Sequence, residues 1–174
     1  MTSIQLLNGK LVSPFELKED DFEIEDIAHS LSQICRFGGH TKVFYSVAQH
    51  SVNVSYFCPS KFEMWGLLHD SAEAFFGIDI PGPIKKVTSF LGFPAWFKEE
   101  RILEVVAKKF GLIFPLPEEV KIVDSRMLST EEKQLMKNRY TKYKTFDYKI
   151  NSWCSEKAKK NFLERYYEIK EKRK

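Results

Sequence analysis

Histidine and cysteine are scarce: the 174 residues hold four of the first and three of the second. Cys35, Cys58 and Cys154 are odd in number, far apart and form no CxxC pair. They argue against a disulfide framework or a thiolate zinc site and fit a reducing cytoplasm. No apolar run approaches the ~18 residues that a membrane span needs. The opening MTSIQLLNGKLV lacks a charged segment followed by a long apolar one, so no signal peptide and no membrane partner are expected. Repeats and Gly/Ser linkers are also missing, which points to one domain over residues 1–174. Net charge is only +3. Its excess lies in 156–174, where eight Lys/Arg face four Glu, as on a solvated final helix. What is present is a globular composition, 43% hydrophobic and 14% aromatic. A chain of this size buries about 70% of its unfolded surface, enough for a core without staples.

The periodicity predicts an all-α fold of six or seven helices with a small N-terminal β-hairpin. Asn8-Gly9 between short apolar runs predicts a two-residue hairpin turn within a lead-in over residues 1–20. Ile24, Ile27, Ala28, Leu31 and Ile34 follow helical spacing. Ser46-x-x-Gln49 and Ser60-x-x-Glu63 read as capping boxes, the first opening a helix through His50, Val54 and Phe57, the second one that stops near Gly77. Pro81 and Pro83 punctuate before a short helix through Lys85 and Val87. Further helices are expected over about 94–110, from Pro117 onward, and from Ser155 to the end. The aromatic, aperiodic stretch 138–154 reads as a loop, so 138–174 is an aromatic loop followed by a C-terminal helix.

Several polar residues fall on faces that should be buried. His69 and Asp70 follow Trp65, Leu67 and Leu68, and Glu73 returns to the same side one turn later. Asp124 lies among Val120, Val123, Met127 and Leu128, and His50 sits between Val47 and Val54. Burying such groups is costly unless something cationic compensates. Each alone is commonly a hydrogen-bonded core residue. Together, two His and two Asp on three inward helix faces form a mixed N/O donor set suited to one divalent ion: Mn²⁺, Co²⁺, Zn²⁺, Fe²⁺ or Mg²⁺. Without thiolates, a catalytic site with open positions is favoured over a structural one.

The ordered set His50…His69-Asp70…Asp124 resembles the H…HD…D signature of the HD-domain metal-dependent phosphohydrolases. The blocks IEDIAHSLSQICRFGGHTKVFYSVAQHS (24–51), LLHDSAEAFFGIDIPGPIK (67–85) and VKIVDSRMLSTE (120–131) resemble the small bacterial and phage branch, related to 5′-deoxynucleotidases and phage deoxynucleoside triphosphohydrolases. The resemblance covers most of residues 1–136. It implies an HD-domain helical bundle, His50, His69, Asp70 and Asp124 as metal ligands, and Glu73 as the group that orients or deprotonates the attacking water. Asp79 matches an acidic residue that assists proton transfer, although relatives place it directly after the glycine and here Ile78 intervenes. Arg36 and Phe37 match an Arg–aromatic pair in the substrate pocket, where nucleotidases carry Trp as the aromatic. The resemblance also implies a cytoplasmic homo-oligomer acting on a nucleotide substrate.

Those groups suit phosphate-ester hydrolysis. A bound divalent ion acidifies water and polarises the phosphoryl oxygen. Glu73 can take a proton. Arg36 offers a planar fork to phosphate, and Lys85 and Lys86 add point charges. His40, after the Gly38-Gly39 pair, is a further substrate-contact candidate or a polar residue beside a simple turn. The expected reaction cleaves the 5′ phosphate ester of a (deoxy)nucleotide, releasing either orthophosphate or intact triphosphate. The competing reading is a nucleic-acid-binding or scaffold module on a non-catalytic HD fold, suggested by alternating bases and aromatics in 140–149. The complete tetrad with Glu73 favours the enzyme and argues against a nucleic-acid partner.

Overall fold

The computed structural model describes residues 3–79 and 95–173, with the side chains of 95–98 left aside. Strands β1 (Ile4–Gln5) and β2 (Leu11–Val12) pair antiparallel, with Ile4 opposite Val12. Helices follow: α1 (Ile24–Gln33), α2 (Val47–Phe57), α3 (Glu63–Leu68), α4 (Glu73–Phe76), α5 (Ala95–Phe110), α6 (Glu118–Leu135) and α7 (Ser155–Lys172). The described residues are therefore mostly helical with one small hairpin, as the periodicity predicts. The short helix expected through Lys85, with Pro81 and Pro83, lies outside the described residues.

Two local expectations need correction. The Gly9 N–H donates to Leu6 O, so the turn centres on Leu7 and Asn8, and Gly9 follows it at φ +85°. The hairpin loop thus has three residues rather than two, with glycine in the left-handed position that closes such a loop. Asn8 does not belong to the tight turn alone. Its backbone N–H and its side-chain amide both donate to Asp26 of α1, at 3.0 and 2.9 Å, and tie the hairpin to the bundle. Ser60 caps nothing. It opens a 3₁₀ turn, Ser60–Phe62, closed by Phe62 N–H donating to Pro59 O. By contrast the Ser46 hydroxyl does accept from Gln49 N–H, at 3.2 Å, and starts α2 where the capping signal places it.

The helix expected to run to Gly77 is also broken. Between α3 and α4 the chain tightens to i→i−3 bonds, from Ser71 N–H to Leu68 O and from Glu73 N–H to Asp70 O. His69 and Asp70 sit in this break. Gly77 closes α4 at φ +72°.

Helix α2 is the centre of the bundle. It packs against α1, α3, α6 and α7, and every residue from Val47 to Ser55 is buried. Its polar residues point inward rather than outward: Gln49, His50, Asn53 and Ser55 find hydrogen-bond partners there, while the Ser51 hydroxyl is buried without one. Around it lies an apolar core drawn from Val12 to Ile169, including Phe22, Leu31, Trp65, Leu68, Phe75, Met127 and Phe162. The close approach of α2 and α3 depends on Gly66: a Cβ there would lie 2.8 Å from Cys58 Sγ and 2.9 Å from Ser55 Cα. Among the described residues no helix is long and apolar enough to cross a membrane.

Candidate metal centre

The α2–α3 crossing sets two histidine-bearing segments side by side. His50 Nε2 and His69 Nε2 face each other at 3.2 Å. Asp124, from α6, brings Oδ1 to 3.1 Å from His50 Nε2 and 3.8 Å from His69 Nε2. Asp70 Oδ2 lies 3.6 and 3.4 Å from the same two nitrogens. Metal–imidazole bonds of about 2.1 Å would place neighbouring donors about 3.0–3.4 Å apart. His50, His69 and Asp124 could hold a metal ion, and Asp70 points an oxygen at the same place.

The second ring nitrogens sharpen this. His69 Nδ1 lies 2.8 Å from Gly66 O, a carbonyl that can only accept, so Nδ1 carries the proton. His50 Nδ1 lies 2.6 Å from Glu131 Oε1. With both Nδ1 protons engaged, neutral rings would turn two lone pairs toward two carboxylate oxygens. A cation, a metal ion or a proton, would reconcile such a set of donors. Asp70 Oδ2 is buried without a hydrogen-bond donor, as a ligand oxygen would be. The side chain of Asp124 is 37% exposed, which opens the centre to solvent on the α6 side.

Without an ion, a proton takes that place. Burial and Arg36 both push the His50 imidazolium down, but Glu131 and Asp124 outweigh them and hold its pKa at about 10. Burial would also raise Asp124, yet the hydrogen bonds and charge of His50 and His69 hold its carboxyl well below the ordinary range. Asp70 and Glu131 are lowered against burial in the same way, Asp70 by the two histidines and Arg36, Glu131 by His50 and Arg36.

Arg36 is buried beside the centre. Backbone bonds from Arg36 N–H to Tyr45 O and from Val47 N–H to Ile34 O pin its segment against the start of α2. Its guanidinium lies 3.4 Å from Glu131, 3.5 Å from Asp70 and 3.7 Å from Asp79. Asp79 also accepts from the backbone N–H of Phe37 at 2.9 Å, where Phe37 holds the left-handed φ of +55°. Arg36 thus balances three carboxylates, and Asp79 clamps the turn that carries it. Glu73 is buried at the first residue of α4, one turn beyond Asp70. Phe37 is half-buried and His40 exposed. Lys85 and Lys86 lie outside the described residues.

Glu131 carries no role in the sequence reading. It lies seven residues after Asp124, two turns along the same face of α6, and that spacing is the signal that marks it.

No protein-family model matches the sequence. The uncharacterized protein YfdR of Escherichia coli K12 is 41% identical over 136 residues, which cover 78% of this chain and 73% of YfdR. The chain belongs to the YfdR family. An uncharacterized protein of Rhodobacter capsulatus is 33% identical over 126 residues, 67% of this chain and 62% of that protein.

Proposed function

We propose that this YfdR-family protein is an HD-type, metal-dependent phosphohydrolase that cleaves the 5′ phosphate ester of (deoxy)nucleotides. The observation that carries the reading is the convergence of His50 Nε2, His69 Nε2, Asp70 Oδ2 and Asp124 Oδ1, with both Nδ1 atoms engaged elsewhere. These four residues would hold one divalent ion of the Mn²⁺, Co²⁺, Zn²⁺, Fe²⁺ or Mg²⁺ class. When bound, such an ion acidifies water and withdraws charge from the phosphoryl oxygens.

The chain's own residues do the rest. Glu73, on the turn that follows the HD pair, holds the attacking water or takes its proton. Arg36 adds to the two histidines in keeping Asp70 ionised, and its charge would meet phosphate oxygens. Asp79 fixes the Arg36–Phe37 turn by accepting from the Phe37 N–H. Phe37 would pack against sugar or base. Cytoplasmic location and self-association accompany the resemblance, and light scattering of the purified protein checks the second.

The nucleic-acid reading loses support from the aromatic loop. Phe146 stacks on Phe57 of α2 at 4.1 Å, and Tyr148 meets the same ring edge-on. Two of the rings that would stack on bases are therefore committed to the protein.

The decisive experiment supplies each metal in turn with a panel of NMPs, dNMPs, NTPs and dNTPs. Orthophosphate as product identifies a nucleotidase, and intact triphosphate a triphosphohydrolase. Absence of turnover across the whole panel, together with a salt-dependent shift of DNA or RNA in a gel, would replace the enzyme by the binding module.

A further inference from the structure

Glu131 is wholly buried and is engaged from three sides. His50 Nδ1 lies 2.6 Å from Oε1, the Tyr45 hydroxyl donates to the same oxygen at 2.8 Å, and Arg36 lies 3.4 Å from Oε2. The chain of bonds continues outward. Asn53 Nδ2 donates to the Tyr45 oxygen at 2.9 Å, and the Tyr148 hydroxyl donates to Asn53 Oδ1 at 3.0 Å. Tyr45 has one hydroxyl proton and donates it in the hydrogen bond to the carboxylate, so its oxygen must accept from Asn53. That fixes the Asn53 amide with its carbonyl toward Tyr148. Every donor along the path points toward Glu131, an arrangement in which successive bonds polarise one another.

Tyr148 belongs to the strap 137–154, which has no regular structure of its own. Gln134 and Gln49 bind it as surrogate peptides. Gln134 donates to Tyr148 O and accepts from Ile150 N–H, and Gln49 donates to Asn151 O and accepts from Trp153 N–H. The strap is thus docked beside the centre with one hydroxyl aimed inward.

We propose that Glu131 is the positioning residue of the metal centre, holding His50 with Nε2 toward the ion, and that the strap controls this grip through Tyr148, Asn53 and Tyr45. The proposal rests on reading the four donors as metal ligands. Carboxylates behind metal-bound histidines commonly contribute about 10- to 100-fold in affinity.

The test is titration of the full chain with Co²⁺, followed by calorimetry and by the Co²⁺ d–d absorption bands. Glu131→Ala should bind about 10- to 100-fold more weakly. Glu131→Gln, which keeps an acceptor for His50 Nδ1, should recover part of that loss. Tyr148→Phe keeps the ring on Phe57 and removes only the hydroxyl, and should weaken binding about five-fold, the worth of one hydrogen bond. Tyr140→Phe, in the same strap but exposed, should match the wild type. The d–d bands should shift in both Glu131 variants, a change that general loosening of the fold does not produce.

If Glu131→Gln and Tyr148→Phe fold and bind Co²⁺ with wild-type affinity and spectrum, the proposal is overturned. His50→Ala separates this from failure of the underlying reading. Loss of Co²⁺ in His50→Ala with unaffected Glu131 variants removes only the positioning role. Undiminished binding in His50→Ala, or no binding by the wild type, removes the metal centre and the positioning role together.

Discussion

In the proposed reaction, Glu73 and the four donor residues divide the site by chemistry. The donors offer lone pairs to one point, while Glu73 stands one turn beyond Asp70, buried at the start of α4. Asp70→Ala should abolish metal binding. Glu73→Ala should keep the metal and lower turnover by about 10²- to 10⁴-fold, the usual weight of a general base. Calorimetric titration beside a rate assay checks both, and loss of metal in Glu73→Ala would make Glu73 a ligand.

The titration of His50 predicts a dependence on pH. Its folded pKa of about 10 lies above the ordinary histidine value. A raised value adds stability that is complete below about pH 6.5 and is lost as the pH rises through the folded value. Glu131 is lowered, so its contribution is present above about pH 4.3 and is lost as the pH falls. Chelator-treated protein should therefore have its highest Tm between roughly pH 4.5 and 6.5. A divalent ion needs both imidazoles neutral, so the rise in Tm on adding metal should grow with pH. Thermal melts with EDTA and with Mn²⁺ from pH 4 to 9 measure this. A flat EDTA curve above pH 5 would show that His50 carries no such proton.

At the scale of elements, the α2–α3 contact decides the geometry. Gly66 lets α3 lie against the backbone of Ser55, and its carbonyl orients the His69 ring. Gly66→Ala drives a Cβ into Ser55 Cα and Cys58 Sγ, and the backbone atom cannot move aside cheaply. The expected cost is about 1–3 kcal/mol, with weaker metal binding because His69 is displaced relative to His50. Urea denaturation and Co²⁺ titration read the two effects. A fully stable Gly66→Ala variant would mean that the helices separate without penalty.

For the molecule as a whole, the C-terminal segment is part of the core rather than an appendage. Ala158, Phe162, Tyr166 and Ile169 of α7 are buried in the same cluster as Val12, Leu31 and Trp65. Arg165 is also buried. It donates to the Ser55 hydroxyl at 3.0 Å, pairs with Glu63 at 3.2 Å and stacks over Tyr56 at 4.0 Å. Phe162→Ala should cost about 3–5 kcal/mol, readable as a lower denaturation midpoint. A cost below 1 kcal/mol would show that α7 packs independently of the rest.

Much of this was legible in the sequence, and for physical reasons. Apolar spacing marked α1, α5, α6 and α7, because a helix repeats its buried face every three or four residues. Ser46 marked the start of α2, because its hydroxyl satisfies a free N–H. His50, His69, Asp70 and Asp124 stood out because polar groups on buried faces need a partner. The break at 69–72, the idle Ser60 and the three-residue hairpin loop escaped, since each depends on which carbonyl the folded chain presents. Glu131 shared the face of Asp124, yet only the packing of α2 on α6 shows that it meets His50, Tyr45 and Arg36. The sequence by itself determined which donors were available and which faces they occupied. The tertiary structure alone decided that three separated segments meet within hydrogen-bond distances, because that distance is set by side chains packing across helices and not by spacing along any one of them.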